Sequence, residues 1–291
     1  MKTFSSYIEI LRPLNGFMVG LAVVIGYLIS LEEIKSIVLE NILYGYITGF
    51  FISSSIMIFN DIIDLPIDRI NRPDRPLPSG RITVNRALLL GLTIGILGII
   101  FSLLTGFNTL FLALGFWIVG ILYNLYLKGI PLVGNMVVSL SIAIPFIYGA
   151  YITGNNSYDL NTYILAITAF TINTYREIIK DIADIKGDKK GGLSTLPIKF
   201  GNKIAFYISM TFLLMGLLIA WTPLFIDTGL NKYIYTLLLV LSEYLLIKSL
   251  IILLKQGLNV KTIIKSKNLC MQGMLLGMTA FLFSRLATLI I

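Results

Sequence analysis

The chain has 291 residues, of which 56% are hydrophobic and only 13% are charged, and its formal net charge is +8. A soluble domain carries about 25% charged residues, so this composition excludes an ordinary soluble globule and predicts a membrane protein. The sequence has no histidine and one cysteine, Cys270. These counts exclude histidine metal ligands, histidine-based triads and an intrachain disulfide. Any chemistry must therefore use carboxylates, amides, hydroxyls, lysine, arginine and added metal ions.

Nine apolar runs are long enough to cross a bilayer, which takes about 20 residues as a helix. They cover residues 14–30, 42–59, 87–105, 109–127, 132–152, 160–178, 204–224, 233–254 and 269–290. The runs do not alternate in polarity as membrane β-strands do. The predicted fold class is therefore all-α, a polytopic protein with nine transmembrane helices. The first run is too long for the apolar region of a signal peptide, so we expect no cleavage there.

Lysine and arginine lie almost entirely on one side of this nine-helix topology. All but three of the 23 basic residues belong to the side that holds the N-terminus, the exceptions being Lys35, Lys232 and Arg285. Because basic connections stay in the cytoplasm, this asymmetry predicts a multi-pass cell-membrane protein with a cytoplasmic N-terminus. Basic connections near anionic lipid also account for the net charge. No nucleic-acid partner is predicted, because the sequence has no separate soluble domain to carry a basic groove, and no obligate protein partner is implied.

Two long connections, 60–86 and 179–203, are predicted cytoplasmic cap loops that carry matched acidic clusters. Each cluster has three aspartates at positions i, i+3 and i+7, which fall within about 60° on one helix face. The members are Asp61, Asp64 and Asp68 in the first cluster and Asp181, Asp184 and Asp188 in the second. Four predicted spans separate the clusters, so both lie on the same membrane side. Pro66 and Gly187 precede the third aspartates, so we expect each helix to break there and the third aspartate to lie on irregular backbone.

Carboxylates stacked on one helix face repel one another, so the clusters are expected to bind cations. All candidate ligands are hard oxygens, which favour Mg²⁺ or Mn²⁺ over Zn²⁺. Mg²⁺ takes its remaining ligands from substrate phosphates, so the pattern predicts a diphosphate bridged by Mg²⁺ between the clusters. The alternative is that the aspartates are solvated charges paired with nearby basic residues. Arg69, Arg72, Arg75 and Arg81 suit a phosphate site, but composition does not separate phosphate contacts from residues that only set membrane orientation.

Further motifs accompany the clusters. Asn60 precedes the first cluster, and Asn71-Arg72-Pro73 and Arg75-Pro76-Leu77-Pro78-Ser79-Gly80 follow it; Tyr175-Arg176-Glu177 precedes the second, and Thr195-Leu196-Pro197 follows it. With Arg12-Pro13-x-Asn15 and Tyr123-Asn124-x-x-Leu127-Lys128, the sequence resembles the UbiA superfamily of intramembrane prenyltransferases along essentially its whole length. Within that superfamily, the segment from Arg176 to Asp181 with Thr195-Leu196-Pro197 most resembles archaeal digeranylgeranylglyceryl phosphate synthases.

The resemblance implies Mg²⁺-dependent transfer of a prenyl group from an allylic diphosphate to an acceptor. The implied metal ligands are Asn60, Asp61, Asp64, Asp68, Asp181, Asp184 and Asp188, of which Asp64, Asp68, Asp181 and Asp184 are the implied catalytic residues. Asn15, Arg72 and Lys128 are implied diphosphate contacts, and Tyr123 and Tyr175 would face the allylic cation. Lys180 belongs to the basic side chains of 179–203 that a phosphorylated acceptor would need.

The narrower resemblance implies geranylgeranyl diphosphate as donor and geranylgeranylglyceryl phosphate as acceptor, in archaeal ether-lipid biosynthesis. The bilayer is the expected environment, and residues 1–291 are expected to form a single membrane domain. A prenyltransferase acting on an aromatic acceptor, as in quinone biosynthesis, is one alternative. A cation transporter is less favoured, because transport sites lie near the bilayer midplane and these clusters lie at the ends of spans.

Overall fold

A computed structural model describes residues 2–154 and 159–290 of the chain. Within these ranges all regular secondary structure is helical, so the predicted all-α fold class is confirmed there. The α-helices are α1 Lys2–Leu11, α2 Pro13–Ile29, α3 Leu39–Ile63, α4 Leu65–Asn71, α5 Val84–Thr105, α6 Phe107–Leu122, α7 Val133–Ile152, α8 Leu160–Lys190, α9 Leu196–Phe200, α10 Asn202–Ala220, α11 Lys232–Gln256 and α12 Val260–Ile290. A π-helical segment, Tyr123–Leu127, extends α6.

The protein is a multi-pass membrane protein. Among the described residues, seven helices are long and apolar enough to cross a bilayer, and an eighth span results if α1 and α2, which meet at a 46° bend, count as one. Helix α8 covers the predicted sixth span, 160–178, but does not reach the same apolarity. Its low hydropathy comes from polar residues that are buried within the protein, among them Thr162, Thr171 and Asn173. The nine-span count stays a prediction.

The chain forms two compact units. The first contains the chain up to Tyr27, Val38–Leu127 and the segment that begins at Tyr148. In it, α3 packs against α1, α5 and α6. Its core includes Ile10, Ile58, Leu77, Ile82 and Ile94. A polar contact joins three of its helices, because Ser55 donates to Gly91 O at 2.7 Å and accepts from Trp117 Nε1 at 2.9 Å. Such bonds stabilise helix contacts where no water competes.

The second unit contains Leu28–Ile37, Lys128–Ile147 and the described chain from Asp159 onwards. Helix α8 packs against α9, α10 and α12, and α11 packs along α12. At the α11–α12 contact, Ser242 Oγ donates to Gly273 O at 2.7 Å, and a Cβ on Gly273 would lie 3.1 Å from Ser242 O. Gly273 therefore permits the close approach of the two helices.

The helix breaks expected at the acidic clusters are partly wrong. The first break comes at Asp64, before Pro66, and Asp68 lies on the short helix α4 rather than on irregular backbone. Proline is tolerated in the first turn of a helix because no intrahelical bond needs its missing N–H. Helix α8 continues through Gly187 to Lys190, so Asp188 is helical. The 179–203 segment is thus largely helix, with α9 at its end, rather than loop.

Candidate active site

The first acidic cluster lies where α3 meets α4, and two of its aspartates share an arginine. Asp61 lies in the last turn of α3, Asp68 lies on α4, and both are buried. Arg75 Nη1 donates to Asp68 Oδ2 at 2.5 Å and lies 3.4 Å from Asp61 Oδ1. Asp64, at the junction of the two helices, is half-buried. The cluster is therefore a set of desolvated carboxylates held in place by a cationic side chain.

A second arginine approaches the same cluster from the bend between α1 and α2. Arg12 has φ +48°, a left-handed conformation uncommon for a residue other than glycine. Its guanidinium pairs with Asp61 Oδ1 through Nη2 and lies 3.5 Å from Met57 Sδ through Nη1. Asn15, one turn further along α2, is exposed, and its amide lies 4.0 Å from Met57 Sδ. The bend therefore directs Arg12 at Asp61.

The π-helical segment after α6 contacts Asn60 of α3 through a hydrogen bond. Asn124 lies in that segment, is buried, and accepts a 2.8 Å hydrogen bond from Asn60 Nδ2. Its own amide contacts Ile56 O at 3.4 Å. Tyr123 begins the same segment and is half-buried. Short π-helical insertions occur frequently at functional sites, because they redirect side chains without ending the helix. Asn124 therefore helps to position the predicted ligand Asn60 through this hydrogen bond.

The structure separates the roles of the arginines after the first cluster. Arg81 donates to Glu9 Oε2 at 2.7 Å and to Ser6 Oγ at 3.2 Å, which ties the 72–83 segment to α1. Arg75 contacts the acidic cluster, whereas Arg72 is exposed. Arg81 is thus a structural residue, and Arg75 is the arginine of this segment that faces the carboxylates.

The second acidic cluster lies on the last three turns of α8. Asp181 accepts a 2.7 Å hydrogen bond from Asn135 Nδ2 of α7. Burial raises the pKa of Asp181 to about 7, although the Asn135 bond opposes this rise. Burial and the repulsion of Asp184 also raise the pKa of Asp188, which lies close enough to Lys128 to be attracted by it. Asp184 is exposed. These carboxylates are poorly compensated without a further cation.

One turn before Asp181, three charged residues form an ion-pair cluster. Glu177 is buried and accepts from Arg176 Nη1 at 2.5 Å and from Lys180 Nζ at 3.0 Å. Burial by itself would lower the pKa of Lys180, but attraction to Glu177, Asp181 and Asp184 raises it above its ordinary value. Lys180 is therefore a charged lysine beside the acidic cluster, as a role in anion binding requires.

The position of Tyr175 differs from its predicted role. Its side chain is 1% exposed and belongs to the apolar core of the second unit. Its hydroxyl lies 3.2 Å from Ser249 Oγ of α11 and 3.4 Å from Ser266 Oγ of α12. A ring enclosed in this way packs three helices together rather than facing a reacting cation. Its position on α8 explains the burial, because Ile172 and Ile178, about one turn to either side, belong to the same core.

The donor set suits a hard cation in both clusters. All proposed ligands are carboxylate or amide oxygens, which match Mg²⁺. Among the described residues no three acidic side chains converge tightly enough to hold a metal ion. Arginine side chains contact Asp61 and Asp68 of the first cluster, and the amide of Asn135 contacts Asp181 of the second.

Several residues of the site were not among the predicted site residues: Arg12, Asn124, Asn135, Arg176 and Glu177. Arg75 was predicted only as one of four arginines suited to phosphate. Arg75 and Glu177 stand within the motifs, where a charged residue that is buried beside opposite charges is a candidate for the site. Arg12 could have been suspected from the proline that follows it. Asn135 gave one signal, a lone amide in an otherwise apolar helix.

The chain matches the model of the UbiA prenyltransferase family over residues 19–262. A digeranylgeranylglyceryl phosphate synthase of Pyrococcus horikoshii is 36% identical, over 78% of this chain and 80% of that protein. A solved structure from work on digeranylgeranylglyceryl phosphate synthase in membranes is 28% identical, with a TM-score of 0.84 over 99% of this chain and 100% of that one. A UbiA homolog from Archaeoglobus fulgidus, solved with GPP and Mg²⁺, has the same fold, with 21% identity and a TM-score of 0.72 over 95% of this chain and 99% of that one. The chain belongs to the UbiA prenyltransferase family.

Proposed function

We propose that the protein transfers a geranylgeranyl group from geranylgeranyl diphosphate to the free hydroxyl of geranylgeranylglyceryl phosphate, with Mg²⁺, in archaeal ether-lipid synthesis. The observation that carries this proposal is the pair of matched aspartate clusters, each with hard-oxygen ligands at the spacing i, i+3 and i+7. The identity to the Pyrococcus synthase supports the choice of acceptor. The Archaeoglobus homolog, solved with GPP and Mg²⁺, supports the choice of donor class and metal.

The proposed metal ligands are Asn60, Asp61, Asp64, Asp68, Asp181, Asp184 and Asp188. Bound Mg²⁺ would neutralise the diphosphate as it leaves. Asn124 orients Asn60, and Asn135 orients Asp181, through the side-chain hydrogen bonds described above. Arg72, Lys128 and Asn15 are proposed to contact the diphosphate, and Tyr123 to face the allylic cation. The bond between the prenyl carbon and the diphosphate breaks, an ether bond forms to the acceptor oxygen, and the hydroxyl proton passes to the departing diphosphate.

Helix α8 is proposed to cross the bilayer, which makes nine spans and puts both acidic clusters on the cytoplasmic side. Its buried polar residues lower its hydropathy without exposing polar groups to lipid. The distribution of lysine and arginine supports a cytoplasmic N-terminus. We further propose that residues 1–291 act as a single catalytic domain, with 60–86 and 179–203 on the cytoplasmic face.

Single-cysteine labelling tests the nine-span topology. Asp74→Cys and Asp227→Cys, each in a Cys270→Ser background, alter exposed positions in the 2–3 and 7–8 connections. With nine spans, an impermeant thiol reagent on intact cells should label the cysteine at 227 and label that at 74 only after permeabilisation. Labelling of both positions from the same side would mean that α8 does not cross, because one crossing fewer brings the two connections together.

Acceptor competition tests the proposed reaction. Purified protein with Mg²⁺ and geranylgeranyl diphosphate should alkylate geranylgeranylglyceryl phosphate at least about 100-fold faster than 4-hydroxybenzoate at equal concentration, since a site built for a polar group rejects analogues that lack it. Preference for the benzoate would assign the protein to aromatic-acceptor transfer instead. Diphosphate-independent movement of cations across vesicles, without prenyl transfer to either acceptor, would support a transporter.

A further inference from the structure

The positive charge of the ion-pair cluster on α8 exceeds the negative charge of its carboxylate, Glu177. Arg176 and Lys180 both donate to Glu177, whose side chain is only 7% exposed. Lys267 of α12 lies close enough to Arg176 and Lys180 to be repelled by both. Three cations therefore lie near one buried carboxylate. Asp181, Asp184 and Asp188 are further acids nearby, and the proposed function uses all three to bind Mg²⁺.

Among the described residues, the guanidinium of Arg176 has oxygen acceptors on one side only. Nη1 donates to Glu177 Oε1 at 2.5 Å and lies 3.4 Å from Asn173 Oδ1. Nε is buried and has no hydrogen-bond acceptor within the described chain. Nη2 lies 3.7 Å from Met271 Sδ, and a thioether is a weak acceptor. The edge formed by Nε and Nη2 can pair bidentately with two phosphate oxygens. In this structure the flexible side chain of Met271 contacts that edge at Nη2.

Met271 also locates Lys267 relative to this edge. The two residues are four positions apart on α12 and lie on the same face of that helix. The face that contacts Arg176 Nη2 through Met271 therefore carries the ammonium group of Lys267 one turn earlier. Lys267 is half-buried.

We propose that Arg176, Lys180 and Lys267 bind the phosphate group of the acceptor, with Glu177 holding two of these cations in place. This inference rests on the proposed function, in which Mg²⁺ occupies Asp181 and Asp184. The three cations then exceed Glu177 by two positive charges, which balances a phosphate monoester of charge about −1.5 to −2. An aromatic carboxylate, with one negative charge, would leave one of them uncompensated. The cluster is thus a specificity element for a phosphorylated acceptor.

Three variants of the full chain, purified in phospholipid-free detergent with Mg²⁺, test the phosphate site. Lys267→Met removes one cation. Arg176→Lys keeps the charge but loses the Nε–Nη2 edge. Lys265→Met, at an exposed position on α12 near Lys267, is the matched control for Lys267→Met. Calorimetric titration measures binding of geranylgeranylglyceryl phosphate and of its dephosphorylated alcohol, and steady-state kinetics give KM for each acceptor and for geranylgeranyl diphosphate.

Lys267→Met and Arg176→Lys should each weaken binding of the phosphorylated acceptor about tenfold, the effect of losing one charge-assisted hydrogen bond. Affinity for the alcohol and KM for the donor should stay within about twofold of wild type, and Lys265→Met should match wild type throughout. Equal weakening for both acceptors, a rise in donor KM alone, or no change would overturn the proposal. Absence of prenyl transfer by the wild-type protein would refute the proposed function, while the titrations would still decide the phosphate site.

Discussion

Asp184→Ala and Asp64→Ala should each lower the rate of prenyl transfer by at least about 100-fold, because each removes a proposed carboxylate ligand of Mg²⁺. Asp184 is exposed and Asp64 is half-buried, so neither change opens a cavity in the core. Helical content and thermal stability should therefore stay near wild type. Asp184→Asn should be nearly as damaging, since a neutral amide binds Mg²⁺ more weakly than a carboxylate.

The matched control is Asp74→Ala, which removes an exposed carboxylate from the same 60–86 segment as Asp64. Its turnover should match wild type, and activity of the wild-type protein should vanish with a chelator and return with Mg²⁺. Retention of more than roughly a tenth of wild-type activity by either cluster variant would mean that the clusters are not the paired metal site.

Arg75→Met should destabilise the metal-free protein by about 2 kcal/mol, a typical loss for a hydrogen bond to a charged group. Arg75 contacts both Asp61 and Asp68, whose side chains are 6% and 10% exposed. Without the arginine, Asp68 loses a close cationic partner in a poorly solvated place. A bound divalent cation supplies the missing charge, so Mg²⁺ should raise the melting temperature of Arg75→Met more than that of wild type.

Thermal unfolding in detergent, with a chelator and with excess Mg²⁺, measures both effects. Arg86→Met, at an exposed position near the start of α5, is the control and should follow wild type in both conditions. An equal Mg²⁺-dependent shift in all three proteins would show that Arg75 and the metal do not share the first cluster.

The sequence predicts this fold well where hydropathy and helical periodicity agree. The all-α class follows from composition and run length alone. The break expected at Gly187 is wrong because glycine costs a helix only about 1 kcal/mol. That small cost does not end α8, which continues to Lys190. Pro66 was likewise compatible with the first turn of a new helix.

Site residues could be predicted from the sequence where a regular spacing of residues identified them. They could not be predicted where only contacts in the folded protein determine the role of a residue. The six aspartates stand at a fixed interval that is visible in one dimension. The role of Arg12 depends on a left-handed backbone conformation that no local pattern requires. Arg75 and Arg81 stand six residues apart in one basic segment, and only their partners, Asp68 and Glu9, distinguish them. Tyr175 adjoins the motif, but its ring points into the core.

The continuity of α8 makes the two acidic clusters mechanically different. A helix of 31 residues is about 46 Å long, whereas the hydrocarbon layer is about 30 Å thick. The end of α8 can therefore extend out of the hydrocarbon as a stiff rod, with Asp181 and Asp188 held about 10 Å apart along its axis. Asp61 and Asp68 instead lie on either side of a joint at Asp64. One cluster thus presents its ligands along a single helix, whereas the other presents them from two helices whose aspartates Arg75 links.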